Sequence, residues 1–208
     1  MTTLIICRHG NTFAPGQTPT RVGKHTDIPL VDSGLRQAEA LGMYLPEKDL
    51  VPNLVFASHL KRSYGMAERA LEVMDARCEI ERRALFDEID YGPDENKVED
   101  EVIARIGQDA IDRWNREAVP PPGWKVDPAA IEQGWMEFAD EMADNYPEKT
   151  VLVITSNGVG RFAPYITGDY ESFRRDYNIK LKTGALGIFE YDGQNWQVME
   201  WGVRPPVP

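Results

Sequence analysis

Arg8-His9-Gly10-Asn11-Thr12 follows directly on the apolar run Leu4-Ile5-Ile6-Cys7. A guanidinium grips phosphate or carboxylate oxygens with a planar fork, and an imidazole acts as nucleophile or proton carrier near neutral pH. In α/β folds ligands sit at the carboxyl ends of strands. A cation and a base placed where a buried strand stops therefore predict an anion site, with Gly10 letting the backbone approach its ligand closely. Two more stretches share this layout. Leu54-Val55-Phe56-Ala57 runs into Ser58 with Arg62 close behind, and Thr150-Val151-Leu152-Val153-Ile154-Thr155 runs into Ser156-Asn157-Gly158-Val159-Gly160-Arg161. A weak third strand at Glu79-Ile80-Glu81 precedes the acidic turn Asp87-Glu88-Ile89-Asp90-Tyr91-Gly92.

The elements that would position these groups follow from the pattern between them. Residues 13–32 read as a loop leaving the first strand. Ser33 is placed to cap a helix running to about Leu45, with Leu35, Ala38, Leu41 and Leu45 on one face and Pro46 ending it. A second helix from about Leu60 to Met74 carries Arg62 in its first turn. Strand–helix–strand–helix–strand implies a parallel sheet with right-handed crossovers. Residues 84–146 interrupt this rhythm. A helix from Val98 to about Arg116, the break Pro120-Pro121-Pro122-Gly123 and a helix from Pro128 to Asn145 are expected to form a cap over one edge of the sheet. Trp114, Trp124 and Trp135 either line the inner side of that cap or belong to a core. Two last strands, around 185–191 and 196–201, flank Asp192-Gly193-Gln194-Asn195 as a hairpin. The expectation is one α/β domain over residues 1–208: a three-layer α/β/α fold, a mainly parallel sheet with a C-terminal hairpin, and a helical cap insertion at 84–146.

Composition narrows the partners. With 23 basic and 34 acidic residues among 208, the net charge is −11. Such a surplus repels nucleic-acid phosphates and anionic lipid, so no nucleic acid and no membrane is expected. Any bound anion must be small and held by a few focused cations. The cysteines are Cys7, read as a reduced core residue, and Cys78, too few for a disulfide framework. No leader-like stretch and no membrane-span-length run is seen, which gives a soluble, cytoplasmic protein as the expectation. Three histidines without close spacing argue against a metal site, and His25 and His59 are given no chemical role. Ser156 lacks the Gly-x-Ser-x-Gly elbow, and Gly158-Val159-Gly160 lacks the third glycine of a dinucleotide fingerprint. Cys7 has no arginine at the spacing of a cysteine-based phosphatase.

Taken together and in this order, the blocks resemble those of the histidine phosphatases, the phosphoglycerate mutase superfamily. Arg8-His9-Gly10-Asn11-Thr12 is similar to its signature, and Asp27-Ile28-Pro29-Leu30 with Gly34 and Gln37-Ala38 resembles its next block. Ser58-His59-Leu60-Lys61-Arg62 resembles the block with its second arginine. Glu88-Ile89-Asp90-Tyr91-Gly92 is similar to its acid-bearing turn, and Val153-Ile154-Thr155-Ser156-Asn157-Gly158 resembles its last block. The resemblance implies a nucleophilic role for His9, taking the phosphoryl group onto a ring nitrogen. It implies that Arg8 and Arg62 hold the phosphoryl oxygens. Glu88 would be the general acid and then the base, with Asp87 and Asp90 pushing its pKa upward. Asn11, Thr12, Arg21 and Gly158 would add substrate contacts, with no cofactor and no metal.

One position departs. The family has a second histidine where this chain has Asn157. An amide still donates but carries no charge; neutral hydrogen bonds contribute about 0.5–1.5 kcal/mol and charged ones about 1.5–3 kcal/mol. The difference slows the chemical step on the order of tenfold or more. The expected activity is thus hydrolysis of a small phosphomonoester through a phosphohistidine at His9, slowed by Asn157. Mutase-type phosphoryl transfer and a catalytically silent phospho-ligand-binding protein are the alternatives, the ligand in each case a small phosphorylated compound or inorganic phosphate. Oligomeric state is left open.

Overall fold

Residues 1–207 are described in a computed structural model. The strands are β1 (Thr2–Arg8), β2 (Leu54–Ala57), β3 (Ile80–Arg82), β4 (Thr150–Thr155), β5 (Leu186–Tyr191) and β6 (Trp196–Val203). They form one six-stranded sheet in the order β3-β2-β4-β1-β5-β6. β1, β2, β3 and β4 pair in parallel, whereas β5 runs antiparallel to β1, and β6 antiparallel to β5. The register aligns Arg8 with Thr155 and Ala57 with Ile154. The carboxyl ends of β1, β2 and β4 therefore lie level, and whatever follows each strand meets at one edge.

The helices are α1 (Asp32–Glu47), α2 (Lys61–Met74), α3 (Glu99–Ile106), α4 (Gln108–Glu117), α5 (Pro128–Asn145), α6 (Asn157–Gly160) and α7 (Tyr170–Asp176). The two central strands are apolar without alternation because both their faces are covered. Ile5, Cys7, Leu152 and Ile154 pack on Ala38, Leu41 and Leu45 of α1 and on Met66, Ala67 and Ala70 of α2. Leu4, Ile6, Val151 and Val153 belong to the opposite layer with Trp135, Phe138 and Met142 of α5. There Phe138 meets Phe56 and Phe86 edge to face, with ring centroids 5.1 and 5.0 Å apart. This is the three-layer α/β/α arrangement with a C-terminal hairpin. Among the described residues no helix is long and apolar enough to cross a membrane.

Several local expectations change. α1 begins at Asp32 after an extended Val31, and Ser33 caps nothing; its hydroxyl instead accepts a hydrogen bond from Asn11 Nδ2 at 3.2 Å. Leu35 is 39% exposed rather than in the core. Pro46 falls inside the last turn of α1, where the chain is leaving the helix in any case. The helix expected over 98–116 breaks at Gly107, whose φ of 83° no helix accommodates, into α3 and α4. β3 starts one residue later than expected. Within the stretch read as a cap, α5 lies flat on the sheet as a layer helix, with Trp135 fully buried beneath it. The apolar face of an 18-residue helix needs an apolar partner, and the sheet offers the largest one available.

Candidate active site

His9 follows β1 directly and keeps the ladder going, its N–H donating to Thr155 O at 3.0 Å. Nδ1 lies 2.8 Å from Gly10 O. A carbonyl only accepts, so Nδ1 carries the ring proton and Nε2 presents a lone pair. Arg62 Nε donates to that Nε2 at 3.2 Å. The guanidinium reaches it from the first turn of α2, fully buried, with Nη1 donating to Thr26 O at 2.8 Å and Nη2 to Gly23 O at 3.2 Å. Arg8 donates from Nη1 to Leu181 O at 2.8 Å, while its Nε is buried without a partner. Burial first, then the Arg62 and Arg8 charges, hold the His9 imidazole well below its usual pKa. It is a neutral base facing two cations.

Glu88 is buried on the other side of the site. Oε1 accepts from Ile89 N–H at 2.9 Å, and Oε2 accepts from Gly158 N–H at 3.3 Å and from the Tyr91 hydroxyl at 3.5 Å. The expected crowd of carboxylates is not what surrounds it. Asp87 turns to His59 at 3.1 Å, and Asp90 turns to His25 at 3.2 Å and to Lys125. Gly158 does not line the cavity beside His9. A Cβ there would stand 2.1 Å from Glu88 Oε1, so glycine is the residue that lets the carboxylate come against the start of α6. The Asn157 side chain forms no hydrogen bond among the described residues, and its Oδ1 is buried without a partner.

A cavity of about 700 Å³ opens over these groups. Arg8, His9, Glu88 and Asn157 line it, as do Asn11, Thr12 and Arg21. Arg21 is neutralised in place: its Nη2 donates to both oxygens of Glu99, at 2.8 and 2.7 Å, and its guanidinium lies over Trp124. Asn11 is fixed by Gln37 and Thr183. Gly10 serves packing and not ligand approach, because a Cβ there would meet Gly34 O at 2.6 Å. Trp114 reaches the cavity wall, while Trp135 does not. Sequence reasoning gave no site role to Arg161 and Lys180, which also line the cavity. The only available signal was that Arg161 falls one helical turn after Asn157.

The histidine phosphatase superfamily (branch 1) pattern matches residues 4–204. The chain belongs to that family. It is an enzyme of the histidine phosphatase type. A 2,3-bisphosphoglycerate-dependent phosphoglycerate mutase of Bifidobacterium longum (strain DJO10A) is 32% identical over 194 residues, covering 92% of this chain and 73% of the relative. The mutase of Mycobacterium tuberculosis (strain CDC 1551 / Oshkosh) is 29% identical over 147 residues, 68% of this chain and 55% of the relative. Among solved structures, phosphoserine phosphatase of Entamoeba histolytica, in complex with 3-phosphoglyceric acid, superposes with a TM-score of 0.76 at 16% identity, covering 98% of each chain. A mycobacterial glucosyl-3-phosphoglycerate phosphatase gives 0.79 at 17% identity, covering 97% of this chain and 98% of that one. These two likenesses establish the shared histidine phosphatase fold.

Proposed function

We propose that this histidine phosphatase hydrolyses a small phosphorylated metabolite through a phosphohistidine at His9, at a rate lowered by Asn157. The observation that carries the reading is the pair of contacts on one ring. Nδ1–H is held by Gly10 O at 2.8 Å, and the Nε2 lone pair accepts from Arg62 Nε at 3.2 Å; His9 lines the cavity, whereas Arg62, fully buried, does not. Nε2 attacks phosphorus as the ester P–O bond breaks, and the leaving oxygen takes a proton from Glu88. Water then attacks the same phosphorus, Glu88 takes the proton back, and the P–N bond breaks to free phosphate and neutral His9. Arg62 gives up its hydrogen bond to Nε2 and, with Arg8, holds the equatorial oxygens.

The test is a rapid denaturing quench at alkaline pH, which preserves an N–P bond, after mixing with an aryl phosphate. Intact mass is expected to show one added phosphate on the wild-type chain and none on His9→Ala, whose kcat falls at least about 10³-fold. Turnover surviving in His9→Ala overturns the mechanism. The mutase from Bifidobacterium longum favours a second reading, transfer of the phosphoryl group between two hydroxyls. A phosphorylated hydroxy acid that returns its positional isomer, with no free phosphate, would select it.

A further inference from the structure

We propose that Arg161 is a third guanidinium of the phosphoryl site, donating from Nη2 to the transferred group on the wall where Asn157 brings only a neutral amide. This rests on the phosphohistidine reading and adds a catalytic residue to it. Arg161 is 1% exposed. Nε donates to Asn157 O at 3.1 Å, Nη1 donates to Trp114 O at 2.5 Å, and the guanidinium carbon lies 4.0 Å from the centroid of the Trp114 ring. Among the described residues no carboxylate pairs with it. Of the other arginines that are not exposed, Arg21, Arg83 and Arg174 meet the carboxylates of Glu99, Glu141 and Glu171. That leaves Arg8, which lines the cavity, and Arg62, which bonds His9. Both are built as Arg161 is, with backbone carbonyls for partners: Leu181 O for Arg8, and Thr26 O and Gly23 O for Arg62.

A cation taken out of water without a counter-ion is destabilising, and an anion that joins it relieves the cost. Burial lowers the Arg161 pKa to about 10, which still leaves it charged at neutral pH. The two acids lining the cavity are already engaged. Glu99 is taken by both contacts from Arg21, and Glu88 by Ile89, Gly158 and Tyr91. Arg161 Nη2 makes no hydrogen bond among the described residues, and the residue lines the cavity together with His9 and Asn157. Stacking on Trp114 and the two carbonyls fix the plane of the fork, so its free edge is a preformed donor. The bond from Nε to Asn157 O ties this cation to the residue whose amide stands on the same wall, so both serve one anion. Charge in the transition state spreads over three equatorial oxygens, and a neutral amide answers it less than a cation does. The pairing also accounts for the amide. An imidazolium at position 157 would face a guanidinium four residues on, and like charges disfavour each other.

4-Nitrophenyl phosphate carries no anion besides the group transferred, and the rate of phosphohistidine formation in a single turnover reads the step directly. Arg161→Met keeps an apolar side chain against Trp114 and removes the charge. It is expected to lower that rate at least about tenfold, and Arg161→Lys to recover about threefold or more of the loss. Asn157→His is expected to raise the rate of the methionine variant by a factor at least about threefold larger than in wild type, because the imidazolium then supplies the missing charge without facing another. A residue that merely ties α6 to α4 would lose as much with lysine as with methionine, and Asn157→His would add the same factor in both backgrounds. That result overturns the assignment, and so does an unchanged rate in the methionine variant. Arg161→Gln stands in where the methionine variant does not fold; failure of both to fold makes Arg161 a residue of the fold and overturns its chemical role. A wild-type phosphate adduct with unaltered variant rates removes Arg161 alone and leaves the phosphohistidine reading intact. Absence of the adduct from wild type removes that reading itself.

Discussion

Two guanidiniums, Arg62 and Arg8, add to burial in keeping His9 deprotonated, and in the proposed reaction they receive the anion that ring attacks. Burial and both positive charges favour the neutral ring, so a lone pair stands ready at Nε2 without help from a separate base. The ring is expected to remain the neutral Nδ1–H tautomer at pH 6 in ligand-free protein, read from long-range proton–nitrogen NMR; an ordinary midpoint near about 6.5 would contradict this account. Asn157 offers a second residue-scale test. Its side chain has no hydrogen bond to lose among the described residues, and it lines the cavity. Asn157→His restores a charged donor, and kcat for an aryl phosphate in single-turnover kinetics is expected to rise about tenfold or more. An unchanged rate would show that this position no longer touches the developing charge. At this scale Arg8 and His9 stood out because arginine and histidine at the end of a β-run are a local pattern, and Arg62 because it falls in the first turn of the helix that follows β2. Arg161 did not, since its burial depends on Trp114, 47 positions away along the chain.

The elements deliver these side chains by ending together. Parallel pairing of β1, β2 and β4 is readable from alternating apolar runs and helical periods, and the three strand ends with their polar residues follow from it. What was not readable depends on contacts between elements. Ser33 looked like a cap until Asn11 claimed its hydroxyl; Gly10 looked like a ligand contact until α1 was laid against it. α5 looked like part of a cap because its period of about 3.6 says that one face is apolar, without saying which surface covers it. α6 gives the sharpest prediction here. Gly158→Ala places a methyl group 2.1 Å from Glu88 Oε1, and the carboxylate must move by about an ångström. Displacement of that size is expected to lower kcat on the order of 10²-fold. The midpoint of thermal unfolding should shift by only a few degrees, since the strain falls on two side chains, Glu88 and Ile89, and not on backbone. A comparable loss of stability with activity retained would place Glu88 outside the chemistry.

Across the whole molecule, an acidic surface surrounds a cationic cavity. The net charge of −11 disfavours polyanions at long range. Arg8, Arg161 and Lys180 line the cavity, where water screens less, and in the proposed reaction Arg8 acts on a small anion once it is inside. Collecting these charges at one edge affects the stability of the entire fold through His9. In the unfolded chain its imidazole titrates near about 6.5, whereas in the folded chain it stays neutral well below that pH. Well above pH 6.5 both states are neutral at this ring, and it contributes no pH dependence. Below 6.5 the unfolded chain binds a proton that the folded chain refuses, so stability is lost as pH falls. From pH 7.5 to 5.5 that single group lowers the unfolding free energy by at most about 1.3 kcal/mol. His9→Gln removes the titration while keeping a planar polar side chain in the cavity. Urea unfolding at the two pH values is therefore expected to show the wild type losing about 1 kcal/mol more than the variant. Equal losses would mean that the folded ring takes up its proton as freely as the unfolded one, with Arg8 and Arg62 then too far away or too hydrated to hold it neutral.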